Sequence, residues 1–151
     1  MSLWLHRRRG ERGSVALTTA IFAPAVLALL VLLIAAGRIR LAQGEADSAA
    51  RDAARTASLE RDPGAGEAAA RSAAQSSLSN SGLHCRQISV SLNTDGLAAP
   101  LGQAATVTAT VSCTAPLSDI AMPGIGGSKE LKSTMTSVVD TWRARTEADD
   151  S

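Results

Sequence analysis

Few side chains in this sequence could attack, ligate or carry protons. His84 and Cys85 stand side by side, Cys113 lies further along, and His6 lies in a basic patch near the start. A His beside a Cys suggests a nucleophile with its base. That chemistry needs the two side chains to face each other, and neighbours on an extended chain point to opposite faces. A zinc site needs more ligands than His84, Cys85 and Cys113 supply at these spacings. Gly124-Ile125-Gly126-Gly127 is rich in glycine but lacks the Lys and the strand-to-helix setting of a phosphate loop, so it reads as a turn. Asp47, Asp52 and Glu60 are scattered carboxylates that serve solubility. The expectation is a chain with no catalytic residues, no cofactor and no metal. The chemistry left is that of a thiol pair: Cys85 and Cys113 either bridge or stay as two buried thiols. The choice depends on the compartment.

The compartment is read from an apolar run, Val15 to Ala36, that contains no charged residue. A helix of about 22 residues reaches ~33 Å, enough to cross a bilayer core of ~30 Å. His6, Arg7, Arg8, Arg9 and Arg12 precede it. By the positive-inside rule this basic stub stays in the cytoplasm. The chain beyond Arg40 then lies on the other side, where disulfides form. An even cysteine count in such a domain favours a Cys85–Cys113 bridge, and closing a loop of this length stabilises by about 3.5 kcal/mol on the chain-entropy model.

The elements that must hold these residues are read from pattern. One long helix is expected from about Ser14 to about Leu59. Pro24 would kink it modestly, and Arg38 and Arg40 would snorkel at the outer membrane surface. Beyond Gly37 the sequence is heavy in alanine. Ala46, Ala49, Ala50, Ala53, Ala54 and Ala57 recur at three- and four-residue spacing and form a smooth stripe on one face. Asp47 and Arg51, one turn apart, could pair on the solvated side. The stripe either packs against other copies or partners, since small residues let helices approach closely, or covers the chain's own sheet. Arg61-Asp62-Pro63-Gly64 is a stop. A second helix is expected from Ala65 to Leu78, closed by Asn80-Ser81-Gly82.

The period then changes to two. Ile88, Val90 and Leu92 alternate with polar residues. Asn93-Thr94-Asp95-Gly96 is a turn, and Leu97 to Gly102 is a loop. Val107, Ala109, Val111 and Cys113 alternate with Thr106, Thr108, Thr110 and Ser112 in the clearest strand signal. Pro116 to Gly127 reads as an irregular connection. A third strand is expected over about Glu130 to Asp140, with Leu131, Met135 and Val139 on one face. The fold class is therefore α+β and pilin-like: a long N-terminal helix, a short second helix and a small three-stranded antiparallel sheet. The expected layout is a stub over 1–13, a transmembrane helix over 14–37, an extracytoplasmic domain over 38–142 and a disordered tail over 143–151.

Composition agrees with a small head on an anchor. Of 151 residues, only Phe22, Trp4 and Trp142 are aromatic, and there is no Tyr. Such a domain buries little area per residue, so its core is thin and profits from a disulfide or from neighbouring subunits. A net charge of +1, from 15 basic and 14 acidic residues, does not suggest a nucleic-acid binder.

The segment Arg12-Gly13-Ser14-Val15-Ala16-Leu17-Thr18-Thr19-Ala20-Ile21-Phe22-Ala23-Pro24 resembles the start of TadE-like proteins, pseudopilins of the Tad (Flp-type) pilus assembly system. The Ala/Arg-rich stretch from Gln43 to Ser58 resembles the same family, as do Val111 to Asp119 and the closing strand. The resemblance implies a single-pass cell-membrane protein with its small domain outside. It implies the Tad secretion or pilus machinery, other pilin-like subunits and membrane lipid as partners, with a possible homo-oligomer. It further implies a prepilin-peptidase junction between Gly13 and Ser14 in those members that are cut. The position five places after the glycine, usually Glu, holds Thr18 here and cannot supply a charge. The function implied is non-catalytic packing between subunits of a minor pilin or assembly component. The competing expectation is an exported binding or adhesive domain with a cleaved signal peptide. Against it, the apolar run exceeds a usual signal core of ~7–15 residues, and no good Ala-x-Ala site precedes Gln43.

Overall fold

The structure is a computed structural model that describes residues 9–100 and 102–140, with side chains in the first helix described from Thr18 onward. The expected tail and most of the expected stub lie outside the described residues. Helix α1 spans Arg9–Ser58 and contains Pro24. It starts somewhat before the expected Ser14, so Gly13 and Ser14 have helical backbone. The chain divides into two compact units, one ending at Gly37 and the other starting at Arg38.

From Ala20 to Ala36 α1 carries only apolar residues, on all its sides. Lacking an N–H, Pro24 removes one rung of the ladder, yet the helix runs on through it. Every described side chain from Thr18 to Ile34 is exposed.

The second unit is an α+β fold. The Ala-rich half of α1 is followed by α2, Pro63–Asn80. Its start is set by local chemistry: the Asp62 carboxylate accepts from the Ala65 N–H at 2.8 Å, and Pro63 occupies the first turn, where no N–H is needed. Its end is a Schellman motif. Gly82 takes a φ of 74°, the Gly82 N–H donates to the Ser79 carbonyl, and the Leu83 N–H donates to the Leu78 carbonyl at 3.3 Å. Three strands then form an antiparallel sheet in the order β1-β2-β3, with β1 at Gln87–Asn93, β2 at Ala105–Pro116 and β3 at Ser128–Val139. Register sets Cys113 between Ile88 and Leu131, and Val111 between Val90 and Ser133. One face of the sheet is therefore apolar, as the period of two requires. The other carries hydroxyls in cross-strand pairs: Ser89 with Ser112, Thr108 with Thr136 and Thr110 with Thr134.

The core joins the apolar face to the alanine stripe. Leu78, Leu131, Val107, Val111 and Cys113 are its largest fully buried side chains. The apolar side of β1 is less covered than its alternation suggested, with Ile88 36% exposed, because β1 is an edge strand. Two segments expected to be irregular are also part of the packing. A 3-10 turn at Asp95–Ala98 buries Leu97, and a short helix α3, Leu117–Ile120, buries Ile120.

Candidate membrane anchor and packing surface

In the segment ending at Gly37, the exposed side chains are large. Ile21, Phe22, Leu27, Leu30, Leu33 and Ile34 all leave about half or more of their surface uncovered by the chain. In water that much exposed apolar area would be a liability. In lipid it costs nothing, and a helix satisfies its own backbone there. By length and composition this is a helix that can cross a membrane. Thr18, five places after Gly13, is exposed and carries a hydroxyl rather than a carboxylate.

The alanine stripe behaves in the opposite way. Ala46, Ala49, Ala50, Ala53, Ala54 and Ala57 are at most 1% exposed within one chain. They belong to the same apolar cluster as Val107, Ala109, Val111 and Leu131, so this arc of α1 covers the chain's own sheet. Two polar ties hold the helix over β3. The Gln43 amide donates to the Lys132 carbonyl at 3.0 Å, and the Ser58 and Ser137 hydroxyls pair at 3.0 Å. The Ser58 hydroxyl also donates to the Arg55 carbonyl at 2.8 Å. Asp47 does not pair with Arg51 as its spacing allowed. Its carboxylate accepts from the Gln43 amide at 3.3 Å, one turn earlier, and Arg51 stays in solvent, where an ion pair contributes little.

The two cysteines meet. Cys85 and Cys113 form a disulfide with Cα atoms 5.4 Å apart, across a sequence separation of 28. It fastens the segment entering β1 to the centre of the sheet, beside the hydrogen bond from the Arg86 N–H to the Thr114 carbonyl. The bond also leaves no thiol to act as a nucleophile beside His84, since the Cys85 sulfur is spent. His84 is exposed, and its Nδ1 lies 3.9 Å from an Asp119 carboxylate oxygen on α3. Gly124-Ile125-Gly126-Gly127 leads into a strand, with Gly124 and Gly127 at positive φ as a turn requires. Among the described residues no group of three or more His, Cys, Asp or Glu could hold a metal ion. A shallow polar cleft of about 560 Å³ separates the solvent sides of α1 and α2, with Glu45, Asp52 and Arg55 facing Ser76, Ser77 and Asn80.

Residues 13–55 match the family model described as TadE-like protein. This stretch of the chain is TadE-like. The TadE-like segment takes in the apolar helix and most of the alanine stripe, and ends before the sheet and its disulfide. No curated protein and no solved structure matches the chain.

Sequence reasoning missed the polar ties and the burial of Leu97. Gln43 and Ser58 look like ordinary polar members of an Ala-rich helix. Their partners lie 89 and 79 residues away, beyond any local pattern.

Proposed function

We propose that this protein is a membrane-anchored, TadE-like pseudopilin or minor pilin that serves Tad pilus assembly or the associated secretion by packing against other subunits, without turnover. The observation that carries this reading is the coincidence of the TadE-like match with an apolar helix that the described residues leave uncovered. Such a helix is stable in lipid and can associate laterally there through van der Waals contact. The basic stub lies on the cytoplasmic side and the disulfide-bonded domain on the other. The alanine stripe is occupied within the chain, so contacts with other subunits fall to the apolar segment before Gly37 and to the polar outer surfaces of the head. Cleavage, where it occurs, is after Gly13 and leaves Ser14 as the new terminus.

Thr18 sets the role within the assembly. A charged terminus entering lipid beside a neighbour is offset by a carboxylate, and Thr18 provides none. The protein therefore acts as an assembly or capping component rather than as the repeating shaft subunit. Detergent-solubilised membranes should yield the chain cross-linked to Tad-type membrane components, with little in sheared fibres. A Thr18→Glu variant should move into the fibre fraction. Abundant wild-type chain in sheared fibres, or none cross-linked to that machinery, would contradict the assignment. Intact mass of the membrane form reads the junction: a chain still beginning at Met1 or Ser2 rules out cleavage at Gly13.

A further inference from the structure

We infer that β1 is a pairing edge for a second copy of this chain, the two β1 strands joining antiparallel about Val90 into one continuous sheet. This names a contact for the subunit packing proposed above, and it involves only the unit that starts at Arg38.

The two edges of the sheet are guarded differently. An edge strand offers a row of backbone N–H and C=O groups to any strand that reaches it, and charged side chains are a common protection. On β3, Lys129, Glu130 and Lys132 supply such charges, and the Lys132 carbonyl is already taken by the Gln43 amide. On β1 there is neither device. From Gln87 to Asn93 no residue is charged, and none is Pro or Gly. The ladder to β2 runs through all 7 residues without a bulge. Among the described residues β1 pairs with β2 alone, so the backbone groups that alternate away from β2 lie along the open side.

The order of side chains along β1 sets the occupant. Read outward from Val90, Ser89 matches Ser91, Ile88 matches Leu92 and Gln87 matches Asn93. A two-fold axis through Val90 turns each match into a cross-strand pair between copies, since an isologous contact sets i against j and j against i. Hydroxyl then faces hydroxyl, aliphatic faces aliphatic, amide faces amide, and Val90 faces its own counterpart. Such pairs are the unit of sheet stabilisation. The apolar floor continues from one copy into the next and covers Ile88, which is 36% exposed in the single chain. On the other face, Ser91 of the second copy extends the hydroxyl row formed by Ser112 and Ser89. A slip by one residue would set the apolar face of one copy on the same side as the hydroxyl face of the other, so the register is fixed. Because β1 matches itself, the occupant is a second copy. Two such strands make a smaller contact than the ~800 Å² per partner of a standard interface, so the pairing is reversible and is read by trapping it.

The test uses the full chain in detergent, with the Cys85–Cys113 bond intact. Ser89→Cys and Ser91→Cys are prepared as separate variants and oxidised alone and as a mixture. Directly opposed positions have Cβ atoms ~4.5–5.5 Å apart, within a small adjustment of disulfide geometry, whereas diagonal ones are ~7–8 Å apart. The expected result is a cross-linked dimer in the mixture, its bond mapped to positions 89 and 91, with little from either variant alone. Gln87→Cys mixed with Asn93→Cys reads the same register should loss of the Ser89–Ser112 hydroxyl pair unfold the head. Equal cross-linking in all three samples overturns the inference, since association through the apolar helix alone brings the heads together without register. Absence of any cross-link between heads whose thermal transition is intact also overturns it. Membrane retention and cross-linking to Tad-type components are read separately on the wild-type chain, so failure of this pairing is distinguished from failure of the proposed function.

Discussion

Between Ile21 and Ile34, α1 turns large side chains outward in every direction; between Ala46 and Ala57 it turns its smallest ones inward. The same backbone geometry serves both stretches, so the difference lies in what surrounds them. The first stretch has no described residue over it and needs bulk to match hydrocarbon. The second lies against Val107, Ala109, Val111 and Leu131 and needs close approach. Side-chain size, rather than apolarity alone, separates a surface built for lipid from one built for a sheet. The aromatic-poor composition is consistent with this, since a close seam of alanines needs no large fillers.

The contrast can be broken from either side. The largest effect is expected from the disulfide. Converting Cys85 and Cys113 together to Ser should lower the stability of the head by about 3.5 kcal/mol, read from its thermal or denaturant transition, while membrane retention stays unchanged. Next comes the seam. Ala50→Leu adds bulk where none fits and should destabilise the head by about 1–3 kcal/mol. The matching change in the apolar segment, Leu30→Ala, should leave that transition where it was. Equal shifts from both would erase the distinction between the two stretches. The smallest effect is expected from Ser58→Ala, which removes a buried hydroxyl paired with Ser137 and should lower stability by about 1 kcal/mol.

How much of the structure is legible in the sequence differs along the chain for physical reasons. The strand at Val107 to Cys113 is legible because alternation forces a period-two face, and the structure buries that face completely. The second helix is legible from its alanines and from its Asn80-Ser81-Gly82 end, but Pro63 and Gly64, read as part of a stop, are its first residues because Asp62 caps them locally. The alanine stripe is visible as a stripe, but its partner is not, because an alanine face suits a neighbouring copy as well as a sheet. Leu97 is hidden because the apolar residues of this turn-rich stretch follow no period. Its burial depends on Gly96 lying so close to the Thr106 backbone that a side chain there would clash. At the candidate site, the pairing of Cys85 with Cys113 is suggested by count and compartment, and the apolar run announces itself by length.

Hydrogen exchange of the full chain in phosphatidylcholine bilayers tests the division of α1 most directly. Amides of residues 18–36 should be protected for as long as lipid is present and should exchange rapidly once the chain is in denaturant. Amides of residues 46–57 should instead lose protection together with the β2 amides when the disulfide is reduced. Rapid exchange across 18–36 in bilayers, with the chain free in solution, would contradict the account.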